Sequence, residues 1–194
     1  MDVAKYCSGQ GYGWSNFHSK KRGYTLIELL VLLAILSILA IIAFPNLSAV
    51  IAQERSTVLT NSLAGSLSYA RSLAITKQET IITCQSNNGS ECNRSENWHN
   101  GWIIFADKNS NKQRDPEEVL LRVFSAANNG TFATFKGSAG IKHYHKYKPD
   151  GQGHPNGSFL ICHPNVGSGK ALIMTLSGRV RLSKKQTNGS AIRC

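Results

Sequence analysis

The sequence predicts an α+β fold, one long N-terminal helix followed by a β-rich head. Three observations predict it. Leu26–Phe44 is a 19-residue run whose only polar members are Glu28 and Ser37. Beyond Pro45, apolar residues recur at spacings of three and four as far as Ala74, the period of one helix face. From Glu79 onward the pattern changes to short β-type runs divided by glycine, proline and asparagine. Composition agrees. With 41% apolar and 8% aromatic residues the chain is not a disordered tail, and 194 residues fit one main domain. Charged residues are 17%, below the roughly 25% usual for soluble domains.

The first element is introduced by Lys20-Lys21-Arg22-Gly23 and opens with Tyr24-Thr25-Leu26-Ile27-Glu28. As a helix, Leu26–Phe44 measures about 28 Å, close to the thickness of a bilayer core. The basic run before it would stay cytoplasmic. A secretory signal would have a shorter apolar region with the small residue after it; here Gly23 comes first. A carboxylate at Glu28 costs about 1–3 kcal/mol near the edge of a membrane and needs a cationic partner. A cut after Gly23 would supply one, since the new amino group of Tyr24 lies one helical turn away.

These residues resemble the type IV prepilin signature. The resemblance implies a leader at residues 1–23 and cleavage after Gly23 by a membrane prepilin peptidase, which also methylates Tyr24. It further implies that Glu28 neutralises a neighbouring subunit's N-terminus during filament assembly. The leader is longer than many in the family, and Tyr24 stands where phenylalanine is commoner.

The helix is expected to continue to about Lys77 through Leu47, Val50, Ile51, Val58, Leu59, Leu63, Leu67, Ala70 and Ala74, with a kink at Pro45. Its Leu59/Leu63/Leu67 stripe is expected to pack on the head. Eight strands are expected next: ETIITC, GWIIFA, EVLLRVF, TFATF, IKHYHKY, GSFLICH, KALIMTLS and GRVRLS. Loss of the leader removes Cys7 and leaves Cys84, Cys92, Cys162 and Cys194, an even number that suits an oxidising compartment. Three pairings are open. Cys84–Cys92 is favoured because the short loop between them resembles a stapled hairpin, and Cys162–Cys194 because it would tie down the C-terminal segment. Cys162 and His163 point to opposite faces of a strand, so a cysteine nucleophile is not expected.

Other chemistry is thin. Asp107, Asn109, Asn111, Asp115 and Glu118 have the spacing of an EF-hand loop. However, Lys112 stands at the sharp-turn glycine, Lys108 and Arg114 add positive charge, and no flanking helices are expected. The segment therefore reads as an Asx-rich hairpin turn. His143, His145, His154 and His163 lack compact ligand spacing, so no metal and no cofactor is expected. With no phosphate-binding loop, Gly-x-Ser-x-Gly elbow or paired carboxylates, neither is an enzyme.

Charge is segregated. Of the net +11, residues 119–194 carry +10 and residues 24–118 carry −2. Within Ser177-Gly178-Arg179-Val180-Arg181-Leu182-Ser183-Lys184-Lys185, a strand over 179–183 would put Arg179 and Arg181 on one face about 6.6 Å apart. Val180 and Leu182 would then point into the core. Two fixed guanidinium forks suit successive backbone phosphates. Lys184 and Lys185 would extend the patch, and Lys136, Lys142, Lys146, Lys148 and Arg193 would widen it if the fold gathers them. The other reading is a solvated edge strand whose basic residues deter aggregation.

GWIIFADKNSNKQRD, FLICHP and the late GRVR resemble the GspH/FimT family of minor pilins and pseudopilins. That implies a type IV pilin-like fold: a long helix on an antiparallel head, with two sheets. It divides the chain into leader (1–23), membrane and filament-core half of the helix (24–47) and periplasmic or extracellular head (48–194). In FimT proteins a Gly-Arg-x-Arg motif is linked to DNA binding in natural transformation. Here it maps to Gly178, Arg179 and Arg181, with double-stranded DNA, other pilins and the inner membrane as partners. The family equally contains pseudopilins of type II secretion and priming pilins whose role is structural.

Overall fold

The computed structural model describes residues 23–126 and 130–194, with side chains described at all of these except 42–46. Helix α1 (Leu26–Lys77) is followed by strands β1 (Ile81–Gln85), β2 (Gly101–Ala106), β3 (Leu120–Ser125), β4 (Phe132–Gly137) and β5 (Tyr144–Tyr147). Then come β6 (Gly153–His154), β7 (Gly157–His163), β8 (Val166–Met174) and β9 (Val180–Ser183). The chain forms two compact units, one ending at Ile42 and one comprising Ala43–Cys194.

In the first unit, Thr25 caps α1. Its hydroxyl accepts the Glu28 backbone N–H at 3.3 Å, and Thr25 with Glu28 makes the Thr-x-x-Glu pattern of a capping box. Apolar side chains cover this stretch all round and are exposed, from Leu26 at 79% to Ile41 at 74%. Among the described residues no helix is long and apolar enough to cross a membrane. The expected span ends at Phe44, and its last residues lie outside the described side chains, as does the expected kink at Pro45. Residues 1–22, with Cys7, also lie outside the described residues.

In the second unit, α1 buries Ala52, Ser56, Leu59, Leu63, Leu67, Ala70 and Ala74 in one stripe, steps of three and four that keep to one helix face. Leu47, Val50, Ile51 and Val58, expected in the same series, are exposed. The stripe packs with Ile81, Trp98, Trp102, Ile104, Phe135, Tyr147, Phe159, Leu172 and Met174. All but Trp98, which lies in a short 3₁₀ turn before β2, come from two antiparallel sheets, one of order β3-β2-β1-β5-β6 and one of order β4-β7-β8-β9. Ile82, Cys84, Ile103, Phe105 and Tyr144 form a second cluster with Cys92 and Ile141 packed on it. Ala171, Ile173 and Ile192 form a third, with Cys162 against it.

All eight expected runs contain strands. IKHYHKY starts late, at Tyr144, because the Ile141 carbonyl closes a turn on the Gly137 N–H at 2.9 Å. The ninth strand, β6, is two residues long and pairs Lys146 with His154 and Tyr147 with Gly153. Both favoured disulfides are present, Cys84–Cys92 and Cys162–Cys194. The segment after β9 is tied back by the Lys185–Ala191 and Ser168–Arg193 bridges as well as by Cys194.

One expectation is corrected at β9. Leu182 is 58% exposed rather than in the core. It stands opposite Leu172, but β9 is the edge of its sheet, so no further strand covers it. Val180 alone of the pair packs against the main core.

Candidate nucleic-acid interface

The site is built on the tight turn between β8 and β9. The Gly178 N–H donates to the Thr175 carbonyl at 2.9 Å, and the Thr175 N–H donates to the Arg179 carbonyl at 3.1 Å. Arg179 therefore ends the turn, and the strand starts at Val180 rather than at 179. The turn is held from two sides. Gly153 in β6 donates its N–H to the Leu176 carbonyl at 3.0 Å. Arg71, on α1, donates through Nε to the Gly151 carbonyl at 3.1 Å and through Nη2 to the Ser177 carbonyl at 2.9 Å.

Gly178 is required by this packing. Its φ of +76° lies in the left-handed region, and a Cβ there would sit 2.0 Å from the Gly151 carbonyl oxygen and 2.8 Å from Arg71 Nε. The conformation alone costs a non-glycine residue about 1–3 kcal/mol, and the backbone oxygen cannot swing aside. Gly178→Ala is therefore expected to lower the thermal midpoint and loosen the Arg71 clamp. An unchanged melting curve would show that the turn tolerates a side chain.

Arg179 and Arg181 are both exposed. Arg181 stands opposite Ile173 on β8, on the sheet face covered by the third cluster. Arg179 lines an open cleft of about 490 Å³ with Ser68, Arg71, Ser72, Ile75 and Gly178. Beyond the turn, Lys146, Lys148, His154 and Leu176 line a second cleft of about 260 Å³. Partial burial and the neighbouring Lys146 and Lys148 push the His154 imidazole below its usual range, so the cleft is already cationic without it. Leu176 and Gly178 belong to one turn, so the two clefts share it.

The remaining expected residues do not all gather here. Lys184 lines a smaller cleft of about 130 Å³ with Gln53, Ser168, Gly169 and Lys170. Arg193 bridges Ser168, which lines that cleft, and Lys185 bridges Ala191 in the same C-terminal segment. Lys142 instead pairs with Glu96 at 2.9 Å. That hydrogen-bonded lysine, and Lys136 more weakly, hold the Glu96 carboxyl below the usual carboxylate range. Lys136 and Lys142 thus share an acidic neighbour. The single patch becomes Arg179 in the Arg71 cleft with the Lys146/Lys148 cleft beside it, Arg181 on the sheet face of the third cluster, a second group around Lys184 and Arg193, and a partly neutralised pair at Lys136/Lys142.

Arg71 escaped the sequence reading. A lone arginine on a helix reads as a solvated side chain; only the sequence-distant carbonyls of Gly151 and Ser177 give it its place. Among the described residues the histidines form no metal centre. His145 is fully buried, its Nδ1 lies 3.0 Å from the Pro155 carbonyl oxygen, and burial pulls its pKa down to about 4.

A long N-terminal helix followed by two antiparallel sheets defines a type IV pilin-like protein. The chain carries the prokaryotic N-terminal methylation motif over residues 18–44, and residues 59–178 match the family described as type II transport protein GspH, to which it belongs. It is similar in structure to the type IV minor pilin FimU of Pseudomonas aeruginosa (strain PAO1). In space group P21 the likeness is 19% identity over 68% of this chain and 87% of that chain, with a TM-score of 0.50. In space group P65 it is 19% identity over 68% and 91%, with a TM-score of 0.49. Comparison with curated proteins finds no significant match.

Proposed function

We propose that this GspH-family chain is a minor type IV pilin of the FimT kind, which binds extracellular double-stranded DNA and promotes its uptake in natural transformation. The observation that carries the reading is the clamped turn. It presents Arg179 beside Arg71 and is shared with the Lys146/Lys148 cleft. Guanidinium and ammonium groups there would replace counterions at backbone phosphates, a sequence-independent mode whose affinity is about 10⁻⁴–10⁻⁶ M per subunit. Few aromatic residues accompany the patch, so base stacking contributes little.

In this reading a prepilin peptidase removes residues 1–23 and methylates Tyr24. Residues 24–47 hold the chain in the inner membrane before assembly and then pack among other pilins, with Glu28 as the charge partner. The head from residue 48 faces the periplasm and then the cell surface. What supports membrane insertion is the sequence of Leu26–Phe44 and the apolar cover of the first unit. The second reading is a structural pseudopilin or priming pilin, favoured by the family's own description as a type II transport protein.

A gel shift of the head from Ser48 against random duplex DNA at two salt concentrations separates the readings. Retardation at low salt that weakens at high salt is expected. Unchanged mobility at low salt would sink the DNA reading and leave the structural one.

A further inference from the structure

The twelve residues Asp107–Glu118 join β2 to β3. Their oxygen-bearing side chains stand at positions 1, 3, 5, 9 and 12, with the Gln113 carbonyl at position 7, the order in which an EF-hand loop presents its ligands. The missing glycine at position 6 does not prevent the bend, because Lys112 takes φ +65° there and Ser110 takes +64°. The Lys112 N–H donates to Asp107 Oδ2 at 3.3 Å, which turns that carboxylate into the loop. The Asn109 and Asn111 carboxamides converge on Asp115, each donating to its Oδ2 at 2.7 Å. Glu118 closes the loop, accepting from the Lys108 N–H at 2.8 Å and the Asp115 N–H at 3.2 Å.

Two buried atoms of the loop are left over, Arg114 Nε and Asp107 Oδ1. Asp107 is only 4% exposed, and its Oδ1 is buried with no hydrogen-bond partner. A buried carboxylate oxygen without a partner is costly, and the second buried carboxylate, Glu118 at 6% exposure, lies close enough to repel it. The loop's own cations do not relieve this. Lys108 and Lys112 are exposed, and Arg114 gives its Nη groups to the carbonyls of Ser90 and Glu118.

We propose that Asp107–Glu118 binds one calcium ion, held by Asp107, Asn109, Asn111, Asp115 and Glu118 together with the Gln113 carbonyl. An all-oxygen set of this number suits calcium, whereas magnesium demands a tighter octahedron. Among the described residues no three His, Cys, Asp or Glu side chains are gathered as a metal-holding group, so Asp107, Asp115 and Glu118 must draw together as the ion enters. The Asn109 and Asn111 Oδ1 atoms accept the Asn111 N–H at 3.1 Å and the Gln113 N–H at 2.7 Å, and the second lone pair of each is the one offered to the ion. With Lys108, Lys112 and Arg114 nearby, affinity falls in the weak, extracellular-module range of about 10⁻⁴–10⁻³ M.

The test is calorimetric titration and thermal melting of the full chain, stripped with chelator and held in detergent. A single calcium site saturating near about 1 mM and a thermal midpoint several degrees higher in calcium are expected, with magnesium far weaker. Asp107→Asn and Glu118→Gln abolish both effects. Should either fail to fold, Asn109→Ala with Asn111→Ala, at exposed positions, decides and is expected to weaken binding at least tenfold. Absence of heat and of a melting shift at about 10 mM calcium, well above the expected dissociation constant, overturns the proposal. So does calcium binding undiminished in the double asparagine variant, or an equal response to magnesium.

Discussion

A chain carrying Arg179→Gln and Arg181→Gln is expected to leave duplex DNA unshifted at low salt, where the parent retards it. Each arginine that sits on a phosphate releases about 0.9 of a counterion. Removing two therefore flattens the logarithmic salt slope by about 1.8. Glutamine keeps most of the length and polarity, so the loss reads charge and the guanidinium fork rather than bulk. Both positions are exposed, so stability should stay within about 0.5 kcal/mol of the parent. If retardation survives with its slope intact, the arginines are not the contact. The Lys146/Lys148/His154 cleft then becomes the site to substitute.

The largest expected loss of stability comes from Trp98→Ala. Trp98 lies in a short 3₁₀ turn just before β2 and is fully buried. Its ring meets Phe135 edge-on at 6.0 Å and Phe159 at 4.7 Å, and its indole N–H donates to the Lys142 carbonyl at 2.8 Å. Alanine would open a cavity between β4, β7 and α1 and strand that carbonyl. Removal of a buried aromatic side chain costs about 3–5 kcal/mol, and for a unit of this size about 10 °C in thermal midpoint. Denaturant unfolding with an unchanged slope but a lower midpoint is the expected signature. Trp98→Phe, which keeps the edge contacts and loses only the N–H, should fall well short of that. If the two variants melt alike, the hydrogen bond rather than the packing dominates.

Much of this was legible in the sequence because it rests on local period. The helix stripe from Leu59 to Ala74 is set by spacing alone, and most strands by alternation or apolar runs between turn residues. The methylation motif is contiguous and needs no tertiary context. What escaped depends on partners far along the chain. β6 is two residues in a Gly-rich stretch and becomes a strand only because Lys146 and Tyr147 lie beside it. Leu182 alternates like a core residue, yet its exposure follows from β9 being at an edge, which sheet order decides. The lysines scatter because β5 joins the first sheet while β9 ends the second, a separation invisible in a count of charges.

The Asp107–Glu118 segment is the reverse case. Its spacing was plain, but Lys112 at the glycine position argued against it. The backbone takes the left-handed bend there regardless, since a lysine pays the conformational cost where a glycine would not.

Arg71 has a mechanical consequence. It is one side chain on a long helix, yet it grips the Ser177 carbonyl inside the arginine turn and the Gly151 carbonyl of the neighbouring one. Tension entering this unit along α1 therefore reaches the turn through that guanidinium, across two hydrogen bonds, in parallel with the packing of the helix stripe on both sheets.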